Sequence, residues 1–346
     1  MKTSRSGQGD PQSGLRQPAD VGSCRRSRTV LCLLVLLANP VPNSSRAIDP
    51  PPQTLLGHRG WTISVAWRPD GKQLASGSGD RTIKIWDTGT GQTLRTLSGH
   101  TNYVYCVAWN PSGTRIASAS YDNTVKVWNA ATGQHLTTLK GHNSAVMGVD
   151  WSPDGERLVT GSQDKMVKVW NARTGRLLRT FTGHTHLVIS VDWSPDGKWI
   201  ASGGFDNTVR VWDAVGNSKA RTLSGHTDPI ESVGWNSTGT RLASAGRDKK
   251  AIVWNIPSGK LVRTFAGHTE RIECVVWRPD DRQLATGSRD KSVKVWDVAT
   301  GKLLSTFAEY KKPVRGIAWN PDGSRLATGS DDNAIRIWTL KTPSDR

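Results

Sequence analysis

Long apolar runs and sulfur are both scarce in this chain of 346 residues, which holds four Cys, three Met, four Tyr and four Phe. No paired Cys or His spacing matches a zinc site. The longest apolar run, Val30 to Ala38, falls well short of the ~20 residues needed to cross a bilayer. No window carries a helical period of apolar residues. Acidic residues are also in deficit, 29 against 46 basic ones, for a formal charge of +17. Residues 1 to 46 hold seven basic and two acidic side chains, so +5 belongs to that segment and +12 to the remainder. Against these shortages stand 35 Gly, 16 Trp and 36% apolar residues. That is ample for a sizeable core, and a mean hydropathy of −0.48 suits a soluble protein. Tryptophan at that frequency points to a motif used many times.

The first 23 residues are rich in Gly, Ser, Pro and Gln and lack hydrophobic periodicity, which is the composition of a disordered segment. Next comes CRRSRTVLCLLVLLANPVPNSSRAID, with a basic cluster at Arg25, Arg26 and Arg28, the apolar run, and small residues Ser45 and Ala47. This is the layout of a secretory signal. Residues 1–47 are therefore read as a disordered basic tail with a signal peptide, favouring export to the periplasm or the exterior. The long stretch ahead of the apolar run leaves two alternatives open: an over-extended start codon with a cytoplasmic location, or an uncleaved anchor.

Repetition dominates the rest of the chain. From Leu55 to Trp338 it divides into seven units of 42 residues without insertion or deletion. A Gly-His pair opens six of them, with the histidines at 58, 100, 142, 184, 226 and 268. An alternating apolar run then ends in Trp (67, 109, 151, 193, 235, 277 and 319), followed by a turn such as RPDGK. A segment like LASGSGD and a β-branched run ending in Trp-Asp or Trp-Asn complete the unit. Four short strands separated by Gly, Pro, Asp and Asn turns are predicted per unit. A four-stranded sheet cannot cover both apolar faces by itself, so the copies must stack and close into a ring. In such a ring Cys106 and Cys274, at the same repeat position four copies apart, lie far beyond the ~7 Å that a disulfide allows. They are read as buried thiols, and Cys24 and Cys32 belong to the tail.

Gly-His followed by SGSGDRTIKIWD at a spacing near forty resembles the WD-repeat (Trp-Asp) β-propeller family, over about residues 52 to 340. The resemblance implies an all-β fold: a seven-bladed propeller with four antiparallel strands per blade, spanning 48–340, with 341–346 as a C-terminal tail. It also implies a non-catalytic scaffold that holds other macromolecules, and a hydrogen-bonded tetrad in each blade. The matching positions are His58, Ser76, Asp80 and Trp86 in blade one, and His100, Ser118, Asp122 and Trp128 in blade two. Blade three supplies His142, Thr160, Asp164 and Trp170; blade four supplies His184, Ser202, Asp206 and Trp212. Blade five supplies His226, Ser244, Asp248 and Trp254, and blade six His268, Thr286, Asp290 and Trp296. Buried imidazole, carboxylate and indole groups each need a partner, so a chain of them is a satisfied framework. Its sixfold recurrence argues against reading Ser, His and Asp as a hydrolase triad.

The seventh copy reads Glu309-Tyr310 where the others read Gly-His. Because QTLLGH near Gln53 matches the last strand of a repeat, the segment Pro52 to Leu56 is expected to complete blade seven as its outermost strand. The missing histidine is then either tolerated degeneration or the release of EYKKPVR toward a partner.

Comparing copies separates framework from freedom. The fourth and seventh residues after the histidine are β-branched, as in Val104 and Val107. The third, the fifth and the residue before the turn Asp follow no rule. In blades one to four these include Trp61, Ile63, Tyr103, Tyr105, Tyr121, Met147, Leu187, Ile189 and Phe205; in blades five to seven, Glu231, Arg247, Arg271, Glu273, Arg289 and Arg315. The resemblance places these on the top face around the channel mouth. An exposed apolar arc rimmed by charge is what a protein-binding surface looks like. The expected function is a non-enzymatic scaffold, with no cofactor and no metal, whose protein or peptide partner binds this face. The alternative is nucleic-acid or anionic-surface binding through the positive charge; catalysis stands a distant third. A monomer without a membrane span is expected. Lys84, Lys126, Lys168 and Arg210, with the outer-strand Arg95 and Arg179, repeat and are read as framework, and Trp199 as a secondary contact on the opposite face.

Overall fold

The structure, a computed structural model, describes residues 51–216 and 218–340. The expected N-terminal tail and signal peptide, with Cys24 and Cys32, and the expected 341–346 tail lie outside the described residues. Twenty-eight strands, β1 to β28, build seven sheets of four, and no helix occurs among the described residues.

Blade one shows how the sequence sets each strand's place. Its strands are β2 (Thr62–Trp67), β3 (Gln73–Ser78), β4 (Ile83–Asp87) and β5 (Thr93–Leu97), paired antiparallel in order. β3 is buried along nearly its whole length because its residues are small: Ala75, Ser76 and Gly77 sit between two neighbouring sheets. A Cβ on Gly77 would lie 2.8 Å from Val104 Cγ1 of the next blade, so the close approach requires glycine here. β5 is exposed except at Leu97, which suits an outer edge rich in polar residues.

The pattern recurs in blades two to six: β6–β9 (104–139), β10–β13 (146–181), β14–β17 (188–224), β18–β21 (230–266) and β22–β25 (272–307). The inner strands β2, β6, β10, β14, β18 and β22 each contact the next, and β26 (Val314–Trp319) contacts both β22 and β2. Blade seven holds β26, β27 (Arg325–Ser330) and β28 (Ile335–Thr339). β1 (Gln53–Leu55) is its fourth strand, antiparallel to β28 with Gln53 opposite Ile337 and Leu55 opposite Ile335.

The core lies between blades. Ile83, Ile85 and Leu97 of blade one pack with Val104, Val107 and Trp109 of blade two, and blade pairs further round the ring repeat the arrangement. Burying one such aliphatic side chain contributes roughly 1.5–3 kcal/mol. Five of the seven inner-strand tryptophans also donate across the seam, as Trp109 Nε1 does to the Ala66 carbonyl at 3.1 Å and Trp67 to Ala318 at 3.0 Å. Trp199 is half-buried and packs against the cluster between blades four and five. Cys106 and Cys274 are free thiols.

Candidate functional site

The tetrads form as six closed networks. His58 Nδ1 lies 2.8 Å from Asp80 Oδ2, and its Nε2 lies 2.7 Å from Ser76 Oγ, which accepts a 2.8 Å bond from Trp86 Nε1. An indole N–H only donates, so the serine oxygen accepts it and the serine proton is left for the imidazole. The same contacts recur through His100, His142, His184, His226 and His268. Burial alone would raise the Asp80 carboxyl, but bonds from His58, Thr82 and the Arg59 amide outweigh it and hold the group well below the usual carboxylate range. Asp164 settles at about 2 by the same balance, burial opposed by His142. The order of contacts matches a Ser-His-Asp relay. However, Ser76 is fully buried and its oxygen is committed to the indole, so no substrate carbonyl can reach it.

Blade seven departs from both readings of its missing histidine. Tyr310 is buried and its hydroxyl donates to Thr328 Oγ1 at 2.8 Å while accepting from Trp338 Nε1 at 2.7 Å. The longer phenol spans the gap that the imidazole fills elsewhere. Asp332, left without its histidine, pairs with Arg336 at 2.8 Å, and that guanidinium lies 5.1 Å over the Tyr310 ring. The segment is not released: its tyrosine is framework, and the network has been rebuilt from different parts.

At one end of the ring, the residues that escape repetition come together. A cavity of about 320 Å³ is lined by side chains from all seven blades. Its walls include Trp61 and Ile63, then Tyr103, Tyr105, Tyr121 and Met147, then Leu187, Ile189 and Phe205. Arg247, Arg271, Arg289 and Arg315 close the circle, and Gln163 and Glu231 complete the lining. Trp61, Tyr103, Tyr121 and Tyr105 form a run of tilted ring contacts with centroids 5.8–6.1 Å apart, the spacing that aromatic pairs prefer.

Comparison with known proteins bears on this geometry. The family model described as "WD domain, G-beta repeat" matches residues 50–87, 91–129 and 133–171, and the one described as "WDR19 first beta-propeller" matches 189–344. The chain belongs to the WD-repeat β-propeller family. It is 59% identical over 39 residues to the vegetative incompatibility protein HET-E-1 of Podospora anserina, covering 11% of this chain and 3% of that protein. It is 37% identical over 75 residues to the protein pleiotropic regulatory locus 1 of Arabidopsis thaliana, covering 21% and 15%. A pre-mRNA-splicing factor of Yarrowia lipolytica is 48% identical over 40 residues, covering 12% and 9%. The chain thus spans no more than 15% of the length of these three relatives. WD-repeat propellers generally serve as non-enzymatic protein-interaction scaffolds.

Depth corrects the expected surface of this WD-repeat propeller. Met147 and Ile189 are only 4% and 6% exposed and pack with Ala145 as the floor of the mouth. Tyr105, Tyr121, Leu187 and Phe205 are half-buried around them. Trp61 at 47% and Tyr103 at 40% stand open to solvent.

The charged arc is also different from a row of free arginines. Glu231 and Glu273 are buried, and the guanidinium groups converge on them: Arg247 to Glu231 at 2.7 Å, and Arg271 and Arg289 to Glu273 at 2.8 and 2.7 Å. Arg315 pairs with Asp331 at 2.9 Å and reaches Glu273 at 3.5 Å. Burial would raise Glu273, but Arg315 and Arg271 pull its carboxyl below the ordinary range. Glu231 ends up raised, by burial and by the neighbouring Glu273 charge. Arg247 lies 4.3 Å over Phe205 and Arg315 lies 6.0 Å over Trp61, so the two arcs are joined. Removing Arg315 would leave the half-buried Asp331 without its guanidinium and thin the set of cations around Glu273, which is a structural cost as well as lost steering. The sequence showed these glutamates at variable positions but carried no signal of their burial.

Proposed function

We propose that this propeller is a non-enzymatic scaffold whose protein or peptide partner docks over the channel mouth, with Trp61 and Tyr103 as anchors. One observation carries the reading: every side chain lining the cavity at the mouth stands at one of the three register positions that escape the 42-residue repeat. Repeated positions answer a packing problem that every blade shares, and these do not. Exposed aromatic side chains beside half-buried apolar ones match the anatomy of a binding patch. The buried floor of Met147 and Ile189 and the ion-paired arginines hold the mouth rigid, which lowers the ordering cost of association. Relatives named as a regulatory protein and a splicing factor are in keeping with a scaffold.

The experiment is capture of a partner by residues 48–346, followed by titration over a range of salt concentrations. Docking on aromatic anchors changes little with salt. Phosphate-driven binding to nucleic acid weakens steeply as ionic strength rises, and that result would replace the reading.

A further inference from the structure

On the flank of the ring, blade four breaks a rule that five others keep; in blade seven, closed by the short β1, the ladder likewise ends at Ile337, one residue before Trp338. In blades one, two, three, five and six the motif tryptophan pairs with an outer-strand residue: Trp86 with Thr93, Trp128 with His135, Trp170 with Leu177, Trp254 with Leu261 and Trp296 with Leu303. In blade four, the ladder between β16 (Thr208–Asp213) and β17 (Arg221–Ser224) stops at Val211 opposite Arg221. Trp212 has no strand partner on that side, and Lys219, which stands at the vacant register position, is exposed. The Asp213 carboxylate holds the altered turn by accepting from Ser218 Oγ at 2.6 Å and from the Val215 and Gly216 amides.

The shortened strand opens a cleft of about 430 Å³ between blades three and four. Three cations line it, Arg179, Arg210 and Lys219, and no carboxylate does. Its floor is aromatic: the Arg179 guanidinium lies 4.6 Å over Phe181 and that of Arg210 lies 5.8 Å over Trp212. Arg179 is anchored from behind by a 3.1 Å bond to the Asp213 carbonyl. Arg210 is different from its counterparts. Lys84, Lys126 and Lys294 donate across to Thr96, Thr138 and Thr306 of their outer strands. Arg210 Nε is buried without a hydrogen-bond partner.

An unsatisfied buried donor costs free energy, and the Arg210 guanidinium with the Lys219 ammonium and the hydroxyls of Thr180, Thr182 and Ser218 suits an oxyanion of double charge. We propose that this flank cleft binds a phosphoryl group, at a site separate from the channel mouth. The cleft volume lies in the range of small-molecule sites, so a phosphoryl group attached to a short side chain fits it better than a bare ion.

Calorimetric titration of the full chain at fixed ionic strength tests this, using O-phosphoserine and inorganic phosphate as probes and serine as the blank. One saturable O-phosphoserine site is expected. Arg210→Gln and Lys219→Gln should each weaken it on the order of tenfold, and Arg95→Gln, the blade-one counterpart of Arg179, should leave it unchanged. Equal binding of inorganic phosphate would support the same site and identify its ligand as the free anion. Should Arg210→Gln unfold the chain, the exposed Lys219 decides the matter. Absence of saturable binding by either probe, or a Lys219→Gln variant that titrates like the parent, overturns the proposal.

Discussion

In blade seven the Tyr310 hydroxyl joins Thr328 to Trp338, where histidine in the other blades joins the Ser or Thr to the Asp. The phenol oxygen bridges Trp338 Nε1 and Thr328 Oγ1 at 2.7 and 2.8 Å, shorter than the direct 3.3 Å bond from the indole to Thr328. Tyr310→Phe should therefore lower stability by about 1 kcal/mol for each of the two hydrogen bonds lost, as read by urea unfolding. Tyr310→His should not raise stability, because Asp332 is held by Arg336; adding Arg336→Lys, the residue type used in blade one, should recover the loss. A single His variant more stable than the parent would show that the blade is merely degenerate. A second residue-scale test concerns two carboxyls in neighbouring inner strands. Asp150 accepts from the Trp193 amide at 2.8 Å and Asp192 from the Trp235 amide at 2.6 Å. Burial pushes Asp150 up to about 6, and burial together with the Asp150 charge pushes Asp192 up as well. The folded state then binds more protons than the unfolded chain, whose carboxyls titrate near 3.9, so these groups lose stability as pH rises from about 4 through 6. The tetrad aspartates have the opposite sign: their contribution is present above about pH 4 and is lost as pH falls below it. Asp192→Asn should raise stability at pH 7, with the gain shrinking as pH falls and vanishing near pH 4. A gain independent of pH would refute the assignment.

Among the strands, β1 carries the sharpest consequence. Deleting residues 1–56 removes the strand paired with β28 and should leave an open edge in blade seven that drives aggregation. Deleting 1–47 should leave solubility and melting temperature unchanged. If the two truncations melt alike, β1 is dispensable. The strand plan was legible in the sequence because each blade solves one packing problem with the same alternation, and six tetrads came with it. Three features were not legible. The phenol of Tyr310 reaches its partners across a distance that residue identity does not encode. The lost pairing at Trp212 falls where the sequence reads AVGNSKA in place of the Thr-Gly or Ser-Gly of the other five turns, and the pairing itself is a tertiary outcome. The depth of Met147, Ile189, Glu231 and Glu273 depends on how far each inner strand reaches toward the axis, and the repeat register is blind to that distance.

For the whole ring, apolar exposure alone does not mark a binding face. Leu94, Leu136, Leu178 and Leu304 are exposed on outer strands and recur from blade to blade, which makes them features of the rim. Trp61 and Tyr103 do not recur, and they flank a mouth built from all seven blades. The charge of the ring is likewise spread: the arginines at the mouth are paired with Glu231, Glu273 and Asp331, which leaves little free field there for a polyanion. The most direct test is calorimetric titration of a captured partner into Trp61→Ala and Tyr103→Ala beside the rim variants Leu94→Ala and Leu304→Ala. The two mouth variants should each lose on the order of 2 kcal/mol of affinity, as truncated anchors do, with unchanged melting temperature, while the rim variants bind like the parent. Full affinity at the mouth with loss at the rim would contradict the assignment of the partner to the channel mouth.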